Sequence, residues 1–181
     1  SGRSPVLAVD ADSNANLNEA LGIDYTASVG AIREDARNQV SSLSGLAKNE
    51  YLDMRVQEAL VEETGYDLIV MGRPEGPGCY CMANNILRDV ISRLTGNYVF
   101  VVIDNEAGME HLSRRTEEEV DHLFIVSDAS PRALRTIGRI IELINEMEGR
   151  IHNQHIVLSR VKGSIDDLPE STRKEIDALP Q

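Results

Sequence analysis

Residues 6–21 read VLAVDADSNANLNEAL. Four apolar residues run straight into Asp10, Asp12, Asn14 and Asn16, after which the spacing turns helical. A short aliphatic run that ends in carboxylates and carboxamides reads as a buried strand whose carboxyl end faces a ligand. On an extended strand Asp10 and Asp12 would alternate and so face the same side.

Similar apolar runs recur along the chain. Strands are predicted at residues 5–9, 67–71, 98–103, 123–127 and 155–158. Amphipathic stretches lie between them. The clearest starts near Pro131, where proline is tolerated, and puts Leu134, Ile137, Ile140, Ile141 and Ile144 on one face, with Arg135, Arg139 and Glu142 elsewhere. Residues 51–63 carry a second helical pattern, ended by Gly65. Strand alternating with helix implies an α/β fold, a mostly parallel sheet flanked by helices. No repeat, linker or second domain is visible, so residues 1–181 read as one partial domain. The first strand begins almost at once and the polar segment 166–181 closes no sheet, so both ends look truncated.

Composition narrows the function classes. The chain has 181 residues, 41% of them hydrophobic, enough for a real core, but aromatics are only 4% and tryptophan is absent, so aliphatic packing must fill it. A net charge of -12 argues against a nucleic-acid partner and against docking on an anionic membrane. No apolar run approaches the roughly 20 residues of a membrane span, and no signal peptide opens the sequence. Two cysteines close together are not a secreted disulfide framework. A cytoplasmic location is expected.

Three predicted strands deliver polar groups at their carboxyl ends. The first gives Asp10, Asp12, Asn14 and Asn16; the third gives Asp104, then Glu106, Ala107 and Gly108; the last ends at Ser159 and Arg160. Carboxylates on neighbouring strand ends suit Mg²⁺, which takes oxygen ligands and keeps several waters. A second carboxylate beside them can orient a water toward a γ-phosphate. A single aspartate in such a place is equally a turn former or helix cap.

Residues 72–85, GRPEGPGCYCMANN, are too rich in Gly and Pro for regular structure. Cys79 and Cys81 are two apart, so in an extended loop both thiols can point the same way, while a bond between them would strain disulfide geometry. One chain offers two thiolates where a closed zinc site wants four, and a two-fold dimer supplies four. Thiolates suit Zn²⁺, can hold Ni²⁺ in a planar arrangement, and can carry an iron–sulfur cluster. Two small loop fillers are the plainer alternative.

Three stretches together resemble a known family. Residues 6–21 resemble a second strand and first switch, residues 70–85 (VMGRPEGPGCYCMANN) a cysteine loop, and residues 101–115 (VVIDNEAGMEHLSRR) a Walker B strand and second switch. The family is that of the carbon monoxide dehydrogenase accessory ATPases, CooC type, within the MinD/ParA/nitrogenase-iron-protein group of deviant-Walker P-loop ATPases. The likeness covers most of the chain.

The resemblance implies an ATP-dependent, Mg²⁺-dependent homodimer that helps load nickel into carbon monoxide dehydrogenase as its client. Position by position, Asp12 would orient the hydrolytic water, Asp10 would belong to the magnesium side of the switch, and Asp104 would be the Walker B carboxylate, with Gly108 in the switch beyond it. Cys79 and Cys81 would bind Zn²⁺ or Ni²⁺ across the dimer interface. Glu110 and His111 follow the switch with no assigned chemistry.

Two departures stand out. The family opens with a strand and a loop of the type GKGGVGKTT whose amides cradle phosphate, and no such loop occurs in residues 1–181. This chain alone is therefore expected to bind ATP poorly. Ser159 stands where the wider group has an adenine-contacting Asn before Arg160, so that contact is weakened. A redox protein with an iron–sulfur cluster and a non-catalytic metal-binding or dimerising module are the competing readings. A partitioning ATPase that binds DNA or membrane fits the charge and the visible tail less well.

Overall fold

The structure, a computed structural model, describes residues 6–39, 45–72, 92–94, 96–106, 119–146 and 151–180. The chain divides into two compact units, residues 1–107 and 108–181.

In the first unit, β1 (Val6–Asp10) is followed by helices α1 (Leu17–Leu21), α2 (Val29–Gln39) and α3 (Gly45–Ala59), then β2 (Val61–Glu63), β3 (Tyr66–Val70) and β4 (Phe100–Asp104). The sheet order is β2-β3-β1-β4. β1 runs parallel to β3, from Val6 opposite Tyr66 to Asp10 opposite Val70. It also runs parallel to β4, from Val6 opposite Phe100 to Asp10 opposite Asp104. The aliphatic run of β1 thus becomes a central strand, with Leu7 and Val9 fully buried. They pack with Ile69 of β3, Val29 and Ile32 of α2, and Leu52, Val56 and Ala59 of α3. The last three recur at helical spacing, which turns one face of α3 onto the sheet.

Helix α2 starts where Ser28 Oγ accepts the Ala31 N–H at 3.2 Å, a side-chain cap on an otherwise unpaired amide. Helix α3 ends at Ala59, short of the predicted 63, because residues 61–63 turn back as β2, antiparallel to β3 with Glu63 opposite Tyr66. Gly65 does not end a helix. It sits in the two-residue hairpin turn at φ +94, a conformation that a side chain disfavours.

In the second unit, β5 (Val120–Asp128) and β6 (Ile151–Ser159) pair in parallel around helix α4 (Pro131–Glu146), followed by a 3₁₀ turn (Ile165–Asp167) and α5 (Glu170–Asp177). Leu134, Ile137, Ile141 and Ile144 of α4 bury against Ile125, with Leu123, Ile151, Leu158, Ile176 and Leu179 at the margin. Arg135 Nη1 donates to Glu175 Oε1 at 2.6 Å and ties α4 to α5. On the other face of the same two strands Phe124, Val126 and Val157 are exposed.

All five predicted strands are present, each shifted or extended at its ends, and lie in two sheets. The fold is α/β with a mostly parallel sheet flanked by helices, as the alternation implies. Burial on both faces holds for β1 and β3, whereas β4, β5 and β6 keep exposed residues. Among the described residues no helix is long and apolar enough to cross a membrane.

Candidate functional site

The carboxyl ends of β1 and β4 bring Asp10 and Asp104 into register. The ladder closes there: the Ala11 N–H donates to the Asp104 carbonyl at 2.8 Å, and the Met71 N–H to the Asp10 carbonyl at 2.8 Å. The Asp10 side chain is fully buried. Its Oδ1 accepts the Asp12 N–H at 3.1 Å and its Oδ2 the Leu17 N–H at 2.9 Å, so one carboxylate anchors both the turn after β1 and the start of α1.

That bond to Asp12 curls the chain, so β1 stops at Asp10 and Asp12 lies in the turn, not on an extended strand beside it. A side chain binding the backbone two residues on offers an alternative to the strand. The arrangement repeats: Asp12 Oδ1 accepts the Asn14 N–H at 2.8 Å and Asn14 Nδ2 at 3.0 Å. The Ala15 N–H then reaches the Asp12 carbonyl at 3.1 Å. Ala15 pays for this winding with φ +53, a left-handed conformation costly for a residue with a Cβ. Ser13 Oγ donates to Glu106 Oε2 at 3.4 Å, linking this turn to the segment after β4.

Asp104 is solvent-accessible on one side, yet its carboxyl lies above the usual aspartate range. Partial burial is the largest cause, followed by the negative charges of Asp10 and Asp12. The charges of Asp10 and Asp12 thus act on Asp104 with no cation among the side chains just described to offset them. That donor set suits a hard divalent ion that takes one or two carboxylates and completes its shell with water and phosphate. Among the described residues no group of three or more His, Cys, Asp or Glu is arranged to enclose a metal by itself.

Ser159 and Arg160 lie at the end of β6 in the second unit. Ser159 Oγ donates to the Ser127 carbonyl at 3.0 Å, so the hydroxyl proton is committed and its oxygen is left as an acceptor. Arg160 has φ +60. Gly108, Cys79, Cys81, Glu110 and His111 lie outside the described residues.

Two features were not singled out in the sequence. Asp128 ends β5, and its Oδ1 accepts the Ser130 N–H at 2.9 Å while Ser130 Oγ accepts the Ala133 N–H at 3.2 Å, starting α4. The Ser130 hydrogen bonds, with a smaller contribution from Arg160, hold the Asp128 carboxyl below the usual range. The run Asp-Ala-Ser-Pro at 128–131 is a helix-start signal that could have marked it. The second feature is Gly72, which leaves β3 at φ +61 with Ser28 so near that a Cβ would lie 2.5 Å from its Oγ. Only the crowding in three dimensions reveals that.

Comparison with known proteins gives this geometry a family. The chain is 46% identical over 174 residues to an uncharacterised ATP-binding protein of Methanocaldococcus jannaschii, covering 94% of this chain and 69% of that protein. It is 32% identical over 160 residues to the carbon monoxide dehydrogenase accessory protein CooC of Rhodospirillum rubrum, covering 78% of this chain and 59% of that protein. The fold matches a ParA family ATPase from Chlorobium tepidum (TM-score 0.62, 21% identity, 98% of this chain and 70% of that one). It also matches the cell division ATPase MinD of Pyrococcus furiosus (TM-score 0.60, 19% identity, 98% and 68%). The chain is thus similar to CooC in sequence and to the MinD and ParA ATPases in fold, and with the AAA domain matching residues 2–158 it belongs to the AAA domain family.

Proposed function

We propose that this chain is the central part of one P-loop ATPase domain that drives metal delivery: an ATP-dependent, Mg²⁺-dependent metallochaperone assisting nickel insertion into carbon monoxide dehydrogenase. The observation that carries the reading is the pairing of Asp10 with Asp104 at adjacent strand ends, with Asp12 in the turn between them and α1. The similarity to a carbon monoxide dehydrogenase accessory protein supports the choice of client, and the nickel cargo follows from the resemblance carried by the sequence motifs.

Each residue has a distinct part. Asp104 keeps an accessible carboxylate at the end of β4, available to a hydrated divalent ion. Bound Mg²⁺ would neutralise phosphate charge as it develops. Asp10 spends its carboxylate on the Asp12 and Leu17 amides, so its role is to hold the switch turn in shape. Asp12 has one oxygen engaged by Asn14; the other is suited to accept a hydrogen bond from the attacking water and orient it. Ser159, with its proton given to Ser127, would accept from an adenine amino group and donate nothing. The phosphate-cradling loop would come from sequence beyond residues 1–181. Cys79 and Cys81, two per chain, would close a four-thiolate site for Zn²⁺ or Ni²⁺ across a cytoplasmic homodimer.

The decisive experiment compares this chain with one extended at its amino terminus to include the phosphate loop. ATP hydrolysis by the longer chain, lost in Asp12→Asn and absent from residues 1–181, is the expected result. Native mass spectrometry should find one Zn²⁺ or Ni²⁺ per two chains, lost on Cys79→Ser/Cys81→Ser. A dimer that forms equally well without metal and in the double variant would overturn the metal-site reading. Brown, anaerobically prepared protein with charge-transfer absorbance would favour the iron–sulfur alternative.

A further inference from the structure

Two imidazoles meet on the open face of the second unit. His122 on β5 and His155 on β6 are both exposed, and Nδ1 of the first lies 2.9 Å from Nε2 of the second. Their ring centroids are 5.2 Å apart with planes 26° from parallel. Phe124, directly opposite His155 in the strand register, stacks on that ring at 4.8 Å and 20°. Asn153, opposite His122, donates from Nδ2 to the Asp121 carbonyl at 2.9 Å and so is held to the β5 backbone.

The core does not explain this pair, because α4 fills the opposite face of the two strands. A hydrogen bond between imidazoles needs one ring nitrogen as a neutral acceptor, and a neutral ring nitrogen is also what a metal ion takes. We propose that His122 and His155 form a two-imidazole chelate for a late first-row divalent ion, Cu²⁺, Ni²⁺ or Zn²⁺. Two cis ligands on a planar ion with bonds of about 2.0 Å are about 2.8 Å apart, close to the separation seen. The two nitrogens point at each other, so one or both rings must turn about Cβ–Cγ to converge on an ion. Their exposure allows that, since this torsion is broad. Water completes the coordination. The site shares no residue with the cysteine pair and does not depend on the proposed function.

The test uses Cys79→Ser/Cys81→Ser protein, so that thiolates cannot compete, with Cu²⁺ as the probe because it binds tightest in the first-row order. One Cu²⁺ per chain is expected, with two equatorial nitrogens in the electron paramagnetic resonance spectrum. His122→Gln or His155→Gln should each weaken binding by at least about tenfold and remove a nitrogen from the spectrum. His111→Gln and His152→Gln should change neither. No bound Cu²⁺, binding that survives both sheet substitutions, or equal loss in the control variants would overturn the assignment. Unchanged far-ultraviolet circular dichroism separates ligand loss from misfolding.

Discussion

Asp10 and Asp104 stand opposite one another at the ends of adjacent parallel strands, one carboxylate fully buried on two backbone amides and the other open to solvent. The two therefore respond to substitution in opposite ways.

Asp10→Ala should destabilise the fold strongly, by about 2–4 kcal/mol, because the Asp12 and Leu17 amides lose their acceptor together. Asp10→Asn keeps one acceptor oxygen and should cost less. Chemical denaturation of both variants checks the order. Equal stability of the alanine variant and the parent would mean that water replaces the carboxylate freely.

Asp104→Asn should leave the chain as stable or slightly more so at neutral pH. The folded carboxyl holds its proton more tightly than the unfolded one, so the native state gains protons first as pH falls. Its contribution is therefore most favourable below the unfolded pKa of about 3.9. It weakens as pH rises through the elevated folded value, leaving a penalty at neutral pH that asparagine removes. For a carboxyl this accessible the gain is small, about 1–2 °C in Tm. In the longer chain the same substitution should abolish Mg²⁺-dependent hydrolysis.

Tyr98 donates its phenol to Asp67 Oδ2 at 2.5 Å. Burial first, then this bond and the Asp67 charge, push the phenol well above its usual range. The stabilisation is complete below the unfolded pKa of about 10 and is lost as pH rises through the folded value. Tyr98→Phe should cost about 1.5 kcal/mol at neutral pH and flatten the alkaline decline in stability. A melting series from pH 7 to about 11 measures both effects.

Gly72→Ala should cost about 1–3 kcal/mol, since the new Cβ is strained at φ +61 and would lie 2.5 Å from Ser28 Oγ. Ser28→Gly also removes the cap on Ala31. If the clash matters, the two substitutions together should cost less than the sum of each alone. Strict additivity would leave backbone strain as the whole effect.

The legibility of this chain follows from range. The helix at Pro131 announces itself through aliphatic residues whose spacing alone selects a buried face. β1 is equally plain, because four apolar residues end at a carboxylate. Residues 61–63 mislead because Val61 continues the helical pattern; only pairing with β3 across the Gly65 turn makes them a strand. At the site, the placement of Asp10 and Asp104 at strand ends is within reach of the sequence because strand ends collect polar residues. The division between a buried anchor and an accessible carboxylate is not, since it depends on which oxygen meets which distant amide. Nor does spacing bring His122 to His155, which are 33 residues apart and meet only through the register of β5 on β6.

β2 is three residues long, antiparallel to its neighbour, and carries Glu62 and Glu63 exposed on the rim. A strand that short and that charged is a poor template for another chain. At the other margin β4 is a full five residues, pairs only with β1 among the described residues, and exposes Phe100 and Val102. The first sheet thus has a polarity across its width: one side repels company, and any strand that joins it does so beside Asp104.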